Sequence, residues 1–67
     1  MEIEVEQEFD GRWIAEIPAI PGAMAYGCSC DDALDKVKAL ALRVLADKME
    51  HGEVVDEAVE EFFAVTA

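Results

Sequence analysis

The first segment of the chain alternates strictly between apolar and acidic positions. The apolar positions are Met1, Ile3 and Val5. The positions between and after them are all glutamate: Glu2, Glu4, Glu6 and Glu8. A period of two predicts a β-strand with one face buried and a wholly acidic outer row.

A second alternating run follows after a short polar break. It extends from Arg12 to Ile17, with Trp13, Ala15 and Ile17 on one side and Ile14 and Glu16 on the other. The intervening residues, Phe9-Asp10-Gly11, are typical of a hairpin turn. We therefore expect the two runs to form an antiparallel pair.

The register of this hairpin determines the length of its loop. A two-residue loop would set apolar residues against acidic ones on both faces, which a sheet with one buried face does not tolerate. A three-residue loop keeps the rows separate and places Gly11 where a left-handed residue forms a bulge. It pairs Glu8 with Arg12, Gln7 with Trp13, Val5 with Ala15 and Ile3 with Ile17. We predict this register.

The segment after the hairpin contains two prolines and cannot continue a central strand, because each proline removes a backbone donor. We therefore predict a short connection over residues Pro18 to Gly22, with a turn at Pro21-Gly22. A third short strand is predicted from Ala23 to Cys28. The sequence does not decide which face of this strand is buried, since three small residues alternate with Met24, Tyr26 and Cys28.

A long helix is predicted from Cys30 to about Glu50. Ser29 supplies a capping hydroxyl and Asp32 a carboxylate in the first turn, while His51 and Gly52 form a stop signal. The apolar residues at helical spacing are Leu34, Val37, Leu40, Ala41, Val44, Leu45 and Met49. We expect this face to cover one side of the sheet.

The apolar spacing of the C-terminal residues fits both a short helix and a strand. We assign a turn or a helical turn to residues 54–60 and a final strand to residues 62–66. The predicted fold class is therefore α+β, a small antiparallel sheet of order β-β-β-α-β with one helix packed on one face. At 67 residues, the chain is expected to form a single domain.

The charge excludes several classes of partner. The formal net charge is −11 and the isoelectric point is about 4.1. Nucleic acids and anionic membranes both attract cations, so we expect this chain to bind neither. The longest uncharged run, from Ile17 to Cys30, contains two prolines and is too short to span a bilayer, and no leader precedes it. We expect a cytoplasmic protein with a basic partner.

The chain offers little catalytic chemistry. Most carboxylates fall on outer faces or in the first helical turn, and neither Ser29 nor the cysteines have an evident base. Cys28, Cys30 and His51 alone do not complete a metal site, so we expect buried or half-buried free thiols. We predict no catalytic residue, no metal site and no cofactor.

The outer face of the predicted sheet is the candidate site. A solvated face with no partner is the alternative. We predict a docking surface for a basic partner, because one apolar side chain would lie within an acidic rim. Its predicted contact residues are Glu4, Glu6, Glu8, Arg12, Ile14, Glu16 and Tyr26. Trp13 is expected on the opposite face, under the helix.

A combination of motifs resembles the HicB-like antitoxin family. The features are an Asp10-Gly11 turn, a strand ending at Pro18, Pro21-Gly22 after two further residues, Gly27 before the helix, Ser29 at its cap and Asp31-Asp32-Ala33-Leu34 in its first turn. They extend over roughly residues 1–52, and the C-terminal part matches loosely.

This resemblance implies a partial ribonuclease-H-like fold without the catalytic residues of ribonuclease H. It also implies a type II toxin–antitoxin role, in which the acidic protein masks a small basic HicA-type, mRNA-cleaving toxin, and it implies homo-oligomers. Many family members carry a C-terminal DNA-binding domain, which we do not expect here because no lysine or arginine follows Lys48. The alternatives are an orphan homo-oligomeric structural or regulatory protein and, third, a remnant metal-dependent nuclease.

Overall fold

A computed structural model describes residues 2–53 and has three strands and one helix. The elements are β1 (Glu4–Gln7), β2 (Trp13–Glu16), β3 (Met24–Gly27) and α1 (Cys30–Glu50). The strands form an antiparallel sheet of order β1-β2-β3, and α1 packs on one face of it. The predicted α+β class is confirmed. The turn predicted at 54–60 and the strand at 62–66 lie outside the described residues.

The hairpin between β1 and β2 has the predicted register. Val5 lies opposite Ala15, and Gln7 lies opposite Trp13. The N–H of Gly11 donates to the carbonyl of Glu8 at 3.0 Å, and Gly11 has a φ of +90°. The three-residue loop is therefore confirmed, and the glycine occupies the left-handed position that the loop requires.

Two consecutive turns connect β2 to β3 and bring Ile20 into the core. The N–H of Ile20 donates to the carbonyl of Ile17, and the N–H of Ala23 donates to the carbonyl of Ile20, both at 3.0 Å. In the second turn Gly22 follows Pro21 with a φ of +85°, the arrangement of a type II turn. The turn at Pro21-Gly22 was predicted, but the burial of Ile20 was not.

The helix packs on the small side chains of β3. Ala23 and Gly27 are buried and Ala25 is half-buried, whereas Met24 and Tyr26 are exposed. Small residues let the helix backbone approach the strand closely. The packing of α1 therefore decides which face of β3 is buried, a question that the alternation of residues left open.

The core-facing side of α1 is narrower than the sequence predicted. Its buried residues are Ala33, Val37 and Ala41, and its half-buried apolar residues are Leu34, Leu40, Val44 and Leu45. Met49, predicted on this side, is 43% exposed, so that assignment is wrong. Twelve residues separate Met49 from Val37, which rotates it by about 120° around the helix axis. Trp13 is half-buried and packs against the core from β2, on the predicted face.

The N-terminus of α1 is capped by side chains, as predicted. Oγ of Ser29 accepts a hydrogen bond from the N–H of Asp32 at 3.0 Å. Oδ2 of Asp32 accepts one from the N–H of Cys28 at 2.9 Å and lies 3.0 Å from Nζ of Lys36. The Cys28 hydrogen bond, followed by Lys36, lowers the pKa of Asp32 below its usual value of 3.8.

We expect Asp32→Asn to destabilise the protein at pH 7 and to lose this effect in acid. The lowered pKa in the folded state means that the carboxylate stabilises the fold above pH 3.8, and this contribution disappears as pH falls through the folded-state value. Urea unfolding of the variant and the wild type at pH 7, 5, 4 and 3 measures the difference. Ser29→Ala is the control and should cost about 1 kcal/mol at each pH, because its hydroxyl does not titrate. Equal stability of Asp32→Asn and the wild type at pH 7 would contradict the capping role.

Candidate functional site

The sheet face turned away from α1, here called the open face, consists of three cross-strand rows. The rows are Glu4–Glu16–Met24, Glu6–Ile14–Tyr26 and, at the hairpin end, Glu8–Arg12. Side chains alternate between the two faces of a strand, so the helix-facing residues of the same strands point the other way. The confirmed hairpin register places the residues of β1 and β2 in these rows, and the pairing of β2 with β3 adds Met24 and Tyr26.

All seven residues predicted for the docking surface lie on the open face. Most of them are exposed, while Glu8 and Ile14 are half-buried. The strand glutamates face away from α1 because their neighbours in the alternation, among them Ala15, face the core. The structure brings the seven residues together, and their role in binding a partner stays a prediction.

In the row farthest from the hairpin, two like charges lie opposite each other. Glu4 of β1 lies directly opposite Glu16 of β2, and both side chains are exposed. Like charges directly across a strand pair repel each other. Within residues 2–53 neither carboxylate has a Lys, Arg or His nitrogen at ion-pair distance. A cation from another molecule, placed between them, would relieve this repulsion.

A shallow depression of about 200 Å³ lies at the same end of the open face. Its lining residues are Glu4, Val5, Glu6, Ile14, Glu16 and Met24. Ile14 and Met24 supply aliphatic surface, and three carboxylates surround it. Such an arrangement suits a lysine or arginine side chain, whose alkyl stem contacts apolar atoms while its charged head pairs with a carboxylate.

The hairpin end of the open face is already occupied by a cation of the chain itself. Nε of Arg12 lies 2.7 Å from Oδ2 of Asp10, and its guanidinium carbon lies 4.5 Å from the centre of the Tyr26 ring. The backbone N–H of Arg12 also donates to Asp10 at 3.0 Å, and this bond, more than the guanidinium, lowers the pKa of Asp10. The open face thus has a cation, Arg12, at its hairpin end and two opposed carboxylates, Glu4 and Glu16, at the other end.

Met24 was missed as a site residue by the sequence analysis. This residue is 49% exposed and lines the depression beside Glu16. A partial signal was present in and next to β3, where Ala23, Ala25 and Gly27 offer the small surface that a covering helix needs, but alternation alone does not decide which side the helix covers. Assigning those three to the helix side would have placed Met24 with Tyr26 on the open face.

The two cysteines and the histidine, which the sequence analysis considered as metal ligands, form no shared site among the described residues. Cys28 is exposed and Cys30 is half-buried, and both are free thiols. Nδ1 of His51 lies 2.7 Å from the carbonyl oxygen of Asp47 at the end of α1. Among residues 2–53, no group of three or more His, Cys, Asp or Glu side chains has the arrangement of a metal site. Within the same range, α1 is not apolar enough to span a bilayer.

No family model matches this chain, and no curated protein or solved structure compared with it is a significant match. The charge and geometry of the open face therefore carry the functional assignment. The decisive features are the opposed glutamates Glu4 and Glu16 and the aliphatic surface of Ile14 and Met24 beside them.

Proposed function

We propose that this protein is a non-catalytic binding module whose open face covers a small basic protein. More specifically, we propose that it acts as the antitoxin of a type II toxin–antitoxin system and masks a HicA-type, mRNA-cleaving toxin. The toxin must bind RNA through a cationic surface. An acidic protein docked on that surface blocks RNA access both sterically and electrostatically.

The observation that carries this proposal is the unneutralised acidic end of the open face. Glu4 and Glu16 face each other across two strands with no cation nearby in the described residues. The C-terminal residues 54–67 contain no lysine, arginine or histidine that could fill this role. We infer that the complementary charge comes from another molecule.

The apolar side chains of the open face support docking of a protein rather than a free ion. Ile14, Met24 and Tyr26 lie side by side on β2 and β3, with carboxylates along β1. Protein interfaces typically have an apolar or aromatic centre and a polar rim. A partner contributes apolar contacts at this centre and cations at the rim, whereas an isolated ion uses only the carboxylates.

Several carboxylates already have structural roles, which supports a non-catalytic function. Asp32 caps α1, Asp10 holds Arg12, and Asp47 lies 3.4 Å from Nδ1 of His51. We also propose a cytoplasmic location, since the two free thiols, Cys28 and Cys30, are stable in a reducing compartment.

We expect a small basic protein to be encoded next to this chain, and the test uses that protein as the binding partner. We expect the two proteins to form a stoichiometric complex whose affinity falls steeply as salt rises from 50 to 500 mM, because opposite charges drive the encounter. Co-expression of this chain should restore growth to cells that produce the partner. Absence of a complex at 50 mM salt, or of growth rescue, would overturn the antitoxin assignment.

A second candidate is a homo-oligomeric structural or regulatory protein without a toxin. It is favoured by exposed apolar side chains on α1, where Leu42 is 68% exposed. Self-association without any basic partner, together with no toxic product from the neighbouring gene, would support this candidate over the antitoxin.

A further inference from the structure

The solvent-facing side of α1 carries an ordered set of uncharged residues. Eleven helix residues are exposed, and seven of them are charged. The other four are Ala39, Leu42, Ala46 and Met49. Their spacing of three, four and three residues places all four on a single line along the helix, here called the outer stripe.

The outer stripe lies on the opposite side of α1 from the sheet. Leu42 is five residues from Val37, which rotates it by about 140° away from that buried residue. Leu42 is 68% exposed and Met49 is 43% exposed. Alternating three- and four-residue spacing of apolar positions is typical of a helix that pairs with another helix.

We propose that a second copy of this chain docks antiparallel on the outer stripe, with a two-fold axis near position 44. This register sets Leu42 against Ala46 of the second copy, and Met49 against Ala39 of the second copy. Each large side chain then meets a small one, so the two helices can approach closely. The same stripe serves both copies, as a two-fold interface requires.

The charges beside the outer stripe favour the antiparallel arrangement. One flank of the stripe carries Lys36, Arg43 and Glu50, all exposed. In antiparallel pairing this flank meets the same flank of the second copy. Lys36, whose Nζ already lies 3.0 Å from Oδ2 of Asp32 in its own chain, then lies against Glu50 at both ends. The two Arg43 side chains approach each other near the axis, where their exposure to solvent screens the repulsion.

This interface would leave the open face accessible. The sheet lies between α1 and the open face, so pairing through the outer stripe turns both open faces outward. A dimer then offers two acidic docking surfaces to basic partners. The outer stripe would be the interface of the proposed homo-oligomer. This dimer does not depend on the docking function, because the outer stripe and the open face consist of different residues.

Sedimentation equilibrium of the full chain tests the proposal. Four side chains per copy, two of them alanines, make a small interface, so we expect a weak dimer with a Kd on the order of 100 μM. Each copy carries a formal charge of −11, so raising NaCl from 50 to 500 mM should strengthen the dimer. Binding to a basic partner should respond to salt in the opposite direction. A wild type that remains monomeric at 1 mM protein in 500 mM NaCl would overturn the proposal.

Leu42→Glu should raise the dimer Kd at least about tenfold, because it places a charge in the apolar contact. Phe9→Glu is the matched control, since it also replaces an exposed apolar residue with a glutamate but lies in the hairpin, and it should leave the Kd unchanged. Binding of Leu42→Glu to the basic partner should also be unchanged. An unaltered dimer Kd in Leu42→Glu would show that the outer stripe is not the interface.

A mixture of two variants tests the antiparallel register. Leu42→Lys and Ala46→Glu should each dimerise poorly alone, and they should associate with each other when mixed, because position 42 faces position 46 of the second copy. No association in the mixture would overturn this register. If residues 54–67 of the same chain cover the stripe instead, the wild type stays monomeric and Leu42→Glu lowers its unfolding midpoint, which also overturns the proposal.

Discussion

Replacing Gly27 with alanine should unfold this protein or lower its free energy of unfolding by at least about 3 kcal/mol. An added Cβ at Gly27 would lie 2.7 Å from Cα of Ala33 and 2.8 Å from the carbonyl carbon of Asp32. Both are backbone atoms at the start of α1, and a backbone cannot turn aside as a side chain can. The helix would have to move away from β3.

The cost is large because this contact sets the position of the whole helix. α1 packs on the sheet mainly through β3, and Val37 is the largest side chain that is fully buried. A domain of this size has only a few kcal/mol of stability in total. Displacing the helix removes most of the apolar contacts that hold the fold together.

Circular dichroism during urea and thermal unfolding measures the effect of Gly27→Ala. Gly11→Ala is the control, because it makes the same chemical change at a glycine with a φ of +90° and open space around it. That variant should lose about 1–2 kcal/mol from backbone strain and should still fold. If Gly27→Ala proves as stable as Gly11→Ala, α1 can shift relative to β3 more easily than the structure implies.

Replacing Glu4, Glu6 and Glu8 together with lysine should slow association with the basic partner by about 10- to 100-fold at low salt. The open face carries four carboxylates and one guanidinium, so its formal charge changes from −3 to +3. A cationic partner is then repelled where it was attracted. Stopped-flow or surface-binding kinetics at 50 mM and 500 mM salt should show the difference shrinking as salt rises.

The control for this variant changes the same number of charges elsewhere. Asp35, Asp47 and Glu53 are exposed residues in or just after α1. Replacing these three with lysine gives the same formal net charge, −11 plus 6, which is −5. If both triple variants slow association equally, net charge governs the encounter and the open face is not the docking surface.

Much of the fold follows from local patterns. The alternation before and after Asp10-Gly11 excluded a two-residue loop, which would mix acidic and apolar rows, and Gly11 favoured the three-residue loop that the structure has. Ser29 and Asp32 fixed the start of α1 at Cys30, and the end at Glu50 also matches the prediction. These features depend on residues close together in sequence, so the sequence alone was sufficient.

The burial of individual residues was less predictable. Val5 occupies the helix-facing side of β1 as predicted, yet its side chain is 38% exposed, because β1 is the strand least covered by α1. Ile20 is buried although it lies in a connection. Cys28 is exposed, where a buried or half-buried thiol was expected. Each outcome depends on where a distant element lies.

The sequence by itself determined which residues share a face of each strand and where the helix begins and ends. It placed the acidic row of β1 opposite the apolar row, and so it assembled most of the open face. Only the tertiary structure decided which side of β3 the helix covers, and with it the place of Met24. The physical reason is that alternation fixes relative orientation within a strand, whereas burial depends on contact with α1, and Gly27 permits that contact through its lack of a side chain.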